Sequence, residues 1–560
     1  MAVFPYRWRS ILASSLATSY FLVAHQSHWW KLGFISSFIS AWAVQTSAWV
    51  VWVVILWPKL FSPLRSLPEP KGSSWFNGHW STIARQPTGI PQRGWVASIP
   101  NDGLLRYLGM LNSERLLVVG PKALSEVLVT KNYDFKKPDM MRHNLGRLLG
   151  VGVLLAEGDE HRTQRKDLMP AFAFRHIKDL YPVFWRKSRE VVDAMTRDIL
   201  ADAGAQPAPS GSEKTPKSAV IEVGNWASRV TLDIIGVAGL GHDFAAIKNQ
   251  NSELNQTYRN LFAPNRGARI LLLLGQALPA WLYEKLPIKR NNEIEAASLY
   301  IRSVCRGLIQ DKKRKLAQKE AVEHDILSVA LQSGGFSDEE LVDQLMTFLA
   351  AGHETTASSM TWAIYMLSRF PEIQKRLRQE IREKLPSIDS NTDITSLDID
   401  HMPYLNAVCN EVLRYYAPVP ITIRETARDT EVMGHKIPKG LRVILAPWAT
   451  NFDKTLWGSD ADEFNPERWM PSGTDDKRAA SGGATSNYAL MTFLHGPRSC
   501  IGQSFAKAEF ACILAGWAGR FEFELHNKEE MDEKNMEIKG GITARPTKGL
   551  YVRATAVDGW

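Results

Sequence analysis

The first sixty residues are patterned unlike the rest of the chain. Gly33–Trp57 contains no charged side chain. A helix of that length spans roughly 37 Å at 1.5 Å per residue, enough to cross a hydrocarbon core of about 30 Å with some tilt. Trp42, Trp49, Trp52 and Trp57 fit an interfacial belt, and Lys59 and Arg65 stand at the exit. The pattern predicts a transmembrane helix over 33–57 inside an anchoring region, residues 1–58. The shorter apolar stretch Ile11–Ala24 carries Ser14, Ser15, Thr18 and Ser19; it reads as a second short span, an interfacial helix or a signal-peptide core, and the longer apolar segment directly after it disfavours a cleaved signal. Arg7, Arg9, Lys59, Arg65 and Lys71 flank the two stretches and favour a cytosolic body. Pro63, Pro68, Pro70 and Gly72 predict a stiff hinge over 59–72.

From residue 73 to 560 the periodicity is mostly helical, with β-prone runs at Arg115–Val119, Val220–Val223, Glu431–Ile437, Arg442–Leu445 and near the C-terminus. The expected body is mainly α with small β-sheets. Ala203–Lys217 and Ser472–Asn487 are rich in Pro, Gly, Ser and Ala and read as surface insertions. With 560 residues, 45% of them hydrophobic, the composition excludes a collagen-like, wholly disordered or small disulfide-framework chain. Four cysteines without paired spacing exclude a zinc finger and suit a reducing compartment. A mean hydropathy of −0.20 excludes a polytopic transporter. The net charge of +8 is compatible with an ordinary basic surface or with attraction to an acidic protein or anionic membrane. No nucleic-acid signature accompanies it.

One cysteine has a context. Phe493-Leu494-His495-Gly496-Pro497-Arg498-Ser499-Cys500-Ile501-Gly502 is a Gly-Pro turn that carries a cation and then a thiol, just before an apolar helix. A helix N-terminus favours thiolate, and Gly496 and Gly502 would let a flat ligand approach the backbone. Taken alone, a lone cysteine is as readily an inert core residue. Upstream, Ser337 and Glu340 form a capping box that opens a helix closed by Pro371. Inside it lies Ala351-Gly352-His353-Glu354-Thr355-Thr356, which reads either as a local bend or as a close helix crossing. Glu411 and Arg414 share a helix face, and Pro466-Glu467-Arg468-Trp469 follows. His161 and Arg165 lie one turn apart, and Arg424 falls in a strand after Pro418-Val419-Pro420.

Together these strings resemble the cytochrome P-450 monooxygenases, over about residues 60–555. The 493–502 string matches the haem-binding loop F-x-x-G-x-R-x-C-x-G at every fixed position. The resemblance implies a triangular helical prism and a haem (iron protoporphyrin IX) whose axial thiolate is Cys500. A thiolate pushes electron density onto iron. It further implies that Arg498, His161, Arg165 and Arg424 meet haem propionates, that Phe493 packs beside the sulfur and that Gly502 belongs to the same cofactor loop. Thr355 would position dioxygen while Glu354 relays the protons that O–O cleavage needs. His353, at the variable position, is expected to be structural. The Glu411–Arg414–Arg468 set would be a buried structural triad.

The expected function is monooxygenation of a lipophilic substrate by O2, in the manner of microsomal fungal enzymes of specialised metabolism. Electrons would come from a separate NADPH-cytochrome reductase, since no flavin or iron–sulfur module is read in the sequence. The expected location is the endoplasmic reticulum membrane, with the body in the cytosol. Ala350, Ala351, Ile421 and Gly540-Gly541-Ile542 are the expected pocket contributors. A haem-thiolate isomerase or dehydratase acting on peroxides, and a non-catalytic haem-binding protein, are the competing readings.

Overall fold

The structure is a computed structural model. It describes residues 7–25, 33–205, 217–262, 280–318, 325–471, 480–539 and 542–560, with scattered positions between 263 and 279. Of the expected insertions, 206–216 and 472–479 lie outside the described residues, as do Gly540 and Gly541, whereas 480–487 packs on the body: Gly482 is buried beside Trp469, and Thr485 N–H donates to the Leu456 carbonyl at 3.0 Å.

The chain begins as a hairpin of two helices, Arg7–Ala24 and Phe34–Val51, the second continuing in wider π form through Trp52–Phe61. The hydroxyl-bearing face of the first is where the two meet. Gln45 accepts from Ser14 at 2.6 Å and Ser15 at 3.1 Å, and it donates to Thr18 at 3.2 Å. Of the described helices, one, Phe34–Ser66, is long and apolar enough to cross a membrane. The following stretch lies along the body. Leu64 and Leu67 are buried, and the Arg106 and His79 side of the body bonds to the Pro68 and Pro70 carbonyls.

The largest sheet has five strands in the order Leu104–Leu108, Glu114–Val118, Arg442–Leu445, Thr422–Thr426, Phe135–Lys136. Its pairings are antiparallel except Glu114–Val118 with Arg442–Leu445. The register Phe135↔Thr426 and Lys136↔Glu425 brings Lys137 next to Arg424. A three-stranded sheet joins Ser218–Glu222, Tyr551–Ala556 and Phe521–Leu525.

The expected β runs lie in strands, Glu431–Ile437 as a hairpin of Thr430–Val432 and His435–Ile437; Leu104–Leu108, Phe135–Lys136 and Phe521–Leu525 are not apparent from the sequence. Leu104–Leu108 is apolar at four of five positions and buried throughout, so it shows no alternation.

The remaining mass is helical and is organised around Asp338–Arg369. Ser337 caps this helix with the expected reciprocal box, and it ends just before Pro371. Most of its residues are buried because it packs on Val223–Ile234, Lys289–Ala317 and Gln503–Arg520. It stays α-helical through residues 351–356. Gly352 explains why: a Cβ there would come 3.0 Å from Ile235, so the glycine serves a close helix crossing rather than a bend.

Candidate active site

Cys500 ends a loop held by backbone bonds. Its N–H donates to the Phe493 carbonyl at 2.9 Å, and Ser499 donates to Gly496 at 3.0 Å. Gly496 sits at φ +75°, and a Cβ there would strike the Leu128 carbonyl. That glycine is demanded by the turn, not by ligand approach, which corrects the expectation from sequence. Gly502 is different. A Cβ there would meet only Phe172, at an ordinary 3.7 Å, so protein packing leaves room on that side of the loop. The helix Gln503–Arg520 starts immediately after it.

The Cys500 side chain keeps accessible surface although it lies deep in the protein, so it opens into interior space. Burial pushes its thiol up, while the Gly502 N–H and Arg165 pull it back. The net direction opposes what the helix end alone predicts. Desolvation outweighs the dipole. Cys305, Cys409 and Cys512 are buried thiols pushed up by burial.

Beside the loop lies a buried group of cations. Arg498 pairs with Glu157, donates to the Phe135 carbonyl at 3.2 Å and leaves its buried Nε without a partner. Arg424 is 3% exposed and reaches only Thr422 Oγ1 and the Ile423 carbonyl, both at 3.0 Å. Burial, then Arg498, lowers its pKa to about 10, against the pull of Glu157. Lys137 sits 3.9 Å from Glu157, and burial, then Arg424, holds it well below the usual lysine range.

His161 takes a contact at 3.2 Å from the Tyr133 hydroxyl on Nδ1. Burial, then Arg498 and Lys137, lowers its pKa to about 4, so it is neutral at pH 7. Arg165 donates to the Ser499 carbonyl at 2.7 Å and the Ser499 hydroxyl at 3.3 Å, bracing the cysteine loop itself. Three basic groups, Lys137, Arg424 and Arg498, thus share one carboxylate, Glu157, with Arg165 close by on the His161 side. Such an imbalance is costly unless an anion binds. Lys137, Tyr133 and Glu157 were invisible in the sequence reading, because no local motif surrounds them.

The Asp338–Arg369 helix supplies the other candidate residues. Ala351 and Thr355, one turn apart, are half-open among buried neighbours, and Thr355 Oγ1 donates back to Ala351 at 2.8 Å. Phe348 stacks edge-on with Phe172 at 5.5 Å, and Phe172 is also the neighbour of Gly502, which brings the helix to the cysteine loop. Glu354 points elsewhere. It is ion-paired with Arg545 and accepts from Thr543 at 3.2 Å. His353 is buried, with Nδ1 2.6 Å from the Leu349 carbonyl and Nε2 3.9 Å from Glu354. Of the expected pocket residues, Ala350 is buried, Ile421 is half-buried and Ile542 is exposed.

Behind the loop, Arg414 and Glu411 pair at 2.8 Å with neither side chain exposed. Arg468 joins Glu411 at 3.3 Å and Asp460 at 3.0 Å, and Trp469 donates to Glu411 at 2.9 Å. Arg414 also fills the carbonyls of Asn451, Ala461 and Glu463. Asn451 then donates to Thr492 and accepts from Met491 N–H, which ties the set to the start of the cysteine loop.

The comparisons agree with this geometry. The sequence model of one family, described as "Cytochrome P450", matches residues 68–552. The chain belongs to the cytochrome P450 family. Among its relatives, cytochrome P450 monooxygenase ALT8 of Alternaria alternata is 44% identical, covering 91% of this chain and 93% of the relative. Cytochrome P450 monooxygenase FUM15 of Gibberella moniliformis is 45% identical over 90% and 91%. Cytochrome P450 monooxygenase sphH of Aspergillus fumigatus is 45% identical over 91% and 92%. This P450 is therefore an oxidoreductase of the monooxygenase class, and its family implies haem.

The residues present fit that cofactor. The cation excess suits two propionates, and the side of Gly502 is open. Among the described residues no group of three or more His, Cys, Asp or Glu side chains could hold a bare metal ion. A porphyrin, which brings its own nitrogen ligands, would need only the one sulfur that Cys500 offers.

Proposed function

We propose that this P450 is a membrane-anchored haem-thiolate monooxygenase that takes electrons from a separate NADPH-dependent reductase and oxidises a lipophilic small molecule of specialised metabolism. The observation that carries the reading is the single accessible thiol of Cys500 beside a buried, under-compensated cation cluster. Bound haem would supply the reduction of O2 and the insertion of one oxygen atom. Cys500 would ligate the iron. Lys137, Arg424 and Arg498 would hold the propionates, with neutral His161 able to donate one N–H.

Arg165 braces the loop through Ser499 and so acts on the ligand's position. Thr355 would present its hydroxyl to the reacting oxygen from the half-open face of its helix. Glu354, held by Arg545 and Thr543, carries a proton only after one of its oxygens parts from Arg545, so the Arg545 ion pair controls proton supply. The Phe34–Ser66 helix would anchor the body in the endoplasmic reticulum membrane, and the basic flanks favour a cytosolic orientation. The net charge of +8 favours an acidic electron donor, whose docking weakens steeply with salt.

The test is consumption of NADPH and O2 by purified full-length protein with reductase and a panel of lipophiles. The reading expects consumption only when reductase and a matching lipophile are both present. Turnover of organic peroxides without reductase or O2 would instead establish the isomerase or dehydratase reading.

A further inference from the structure

The anchor helix meets the catalytic body through buried polar bonds. Pro58 lies inside the helix and has no N–H, and the backbone widens to i to i−5 bonding over Trp52–Phe61. Asn112 Nδ2, from the turn between the strands Leu104–Leu108 and Glu114–Val118, donates to the Val54 carbonyl at 2.8 Å and to the Trp75 carbonyl at 2.8 Å. Asn112 is 1% exposed and sits at φ +52°, a left-handed conformation that asparagine adopts more readily than most residues. Arg106, also buried, donates to the Pro58 carbonyl while Glu69 and Glu114 hold its guanidinium. A loose tether would need none of these bonds.

Around the exit of the helix an apolar collar stays exposed: Leu60, Phe61, Trp75, Phe76 and Leu111. Its members are tied to the clasp. The Trp75 carbonyl is one of the two that Asn112 fills, and Lys59 Nζ stands 5.3 Å from the Trp75 ring. Aromatic rings and a lysine at the end of a membrane-length helix have the composition of an interfacial belt. Because the clasp fixes the helix to the body, the collar is carried to the level at which the helix leaves the hydrocarbon.

We propose that the anchor is a rigid arm of the catalytic body, clasped by Asn112 and Arg106, and that Leu60, Phe61, Trp75, Phe76 and Leu111 seat in the lipid interface of the bilayer the helix crosses. Arm and collar together fix the tilt of the body. The proposal rests on the membrane reading above.

The test uses full-length holoprotein in phosphatidylcholine–phosphatidylserine nanodiscs, with amide exchange read by mass spectrometry, and in oriented bilayers of the same lipids, with haem tilt read by polarised absorption. The native protein is expected to show slow exchange over 53–62, lipid-dependent protection over 74–79 and one narrow tilt. Asn112→Leu should speed exchange over 53–62 by about tenfold and broaden the tilt distribution while the protein still floats with vesicles. Asn112→Asp, nearly the same shape but without the donor, should do the same if the leucine variant fails to fold. Fast native exchange over 53–62, or an unchanged tilt in both variants, would overturn the clasp. Absence of lipid-dependent protection over 74–79 would overturn the seating of the collar. Native protein that does not float with vesicles would overturn the membrane reading itself and with it the collar's seating; slow, Asn112-dependent exchange over 53–62 in solution would then still establish the clasp.

Discussion

Two buried charge clusters flank the cysteine loop, and they are built on opposite principles. Behind it, Arg414 and Arg468 face Glu411 and Asp460, cation for anion, and Arg414 fills three further carbonyls. Beside it, Lys137, Arg424 and Arg498 share Glu157, and the buried Nε of Arg498 has no partner among the described residues. The balanced cluster is finished by folding and acts as scaffold. The unbalanced one is finished by a ligand, and the missing component is an anion. The difference separates structural from cofactor-binding arginines that look alike in the sequence.

The sharpest contrast should come from removing one cation from each cluster. Arg414→Leu removes the closest partner of buried Glu411 and the donor to three carbonyls, and should cost about 3–5 kcal/mol, read as lost thermal stability of both apoprotein and holoprotein. Next in size is a pH effect. Unfolded His161 takes a proton below about pH 6.5, whereas the folded residue resists until about pH 4. The unfolded chain therefore binds more protons in that window, so apoprotein stability is full above it and is lost as pH falls through it, by about 3 kcal/mol. His161→Gln should remove the acid-dependent loss, and haem, whose propionates offset the surrounding cations, should blunt it.

Smaller again, Arg424→Met should leave the apoprotein no less stable, because it relieves repulsion from Arg498, while weakening haem binding about tenfold. A large loss of apoprotein stability in that variant would erase the distinction between the clusters. The smallest change in structure is expected from Thr355→Ala, which should keep haem and substrate binding but divert electrons from product to hydrogen peroxide; fully coupled turnover would remove its assigned role.

What could be read in the sequence followed from local strings. The 493–502 loop, the Ser337 capping box and the Glu411–Arg414 spacing each lie within a few residues, and the structure shows the capping box and the buried triad as expected. The cation cluster is not local. Lys137, Glu157, Arg424 and Arg498 come from four separate segments that only sheet pairing and the loop bring together, so Lys137 and Glu157 looked like ordinary charges. Gly496 was misread for the same reason, since it answers to Leu128, a neighbour far away in the chain, and the same kind of distant contact, with Ile235, decides between the two readings of Gly352. The direction of the Cys500 thiol shift also depended on burial, which the helix-end argument does not contain.

The central claim is that Cys500 ligates haem iron through sulfur. Its most direct measurement is the absorbance of the reduced, carbon-monoxide-treated holoprotein, compared between native chain and Cys500→Ala at equal haem loading. The native spectrum should carry the band of a thiolate-ligated haem, and the variant should lose it. A variant that keeps that band, or a native protein that shows the band of a nitrogen-ligated haem, would contradict the account.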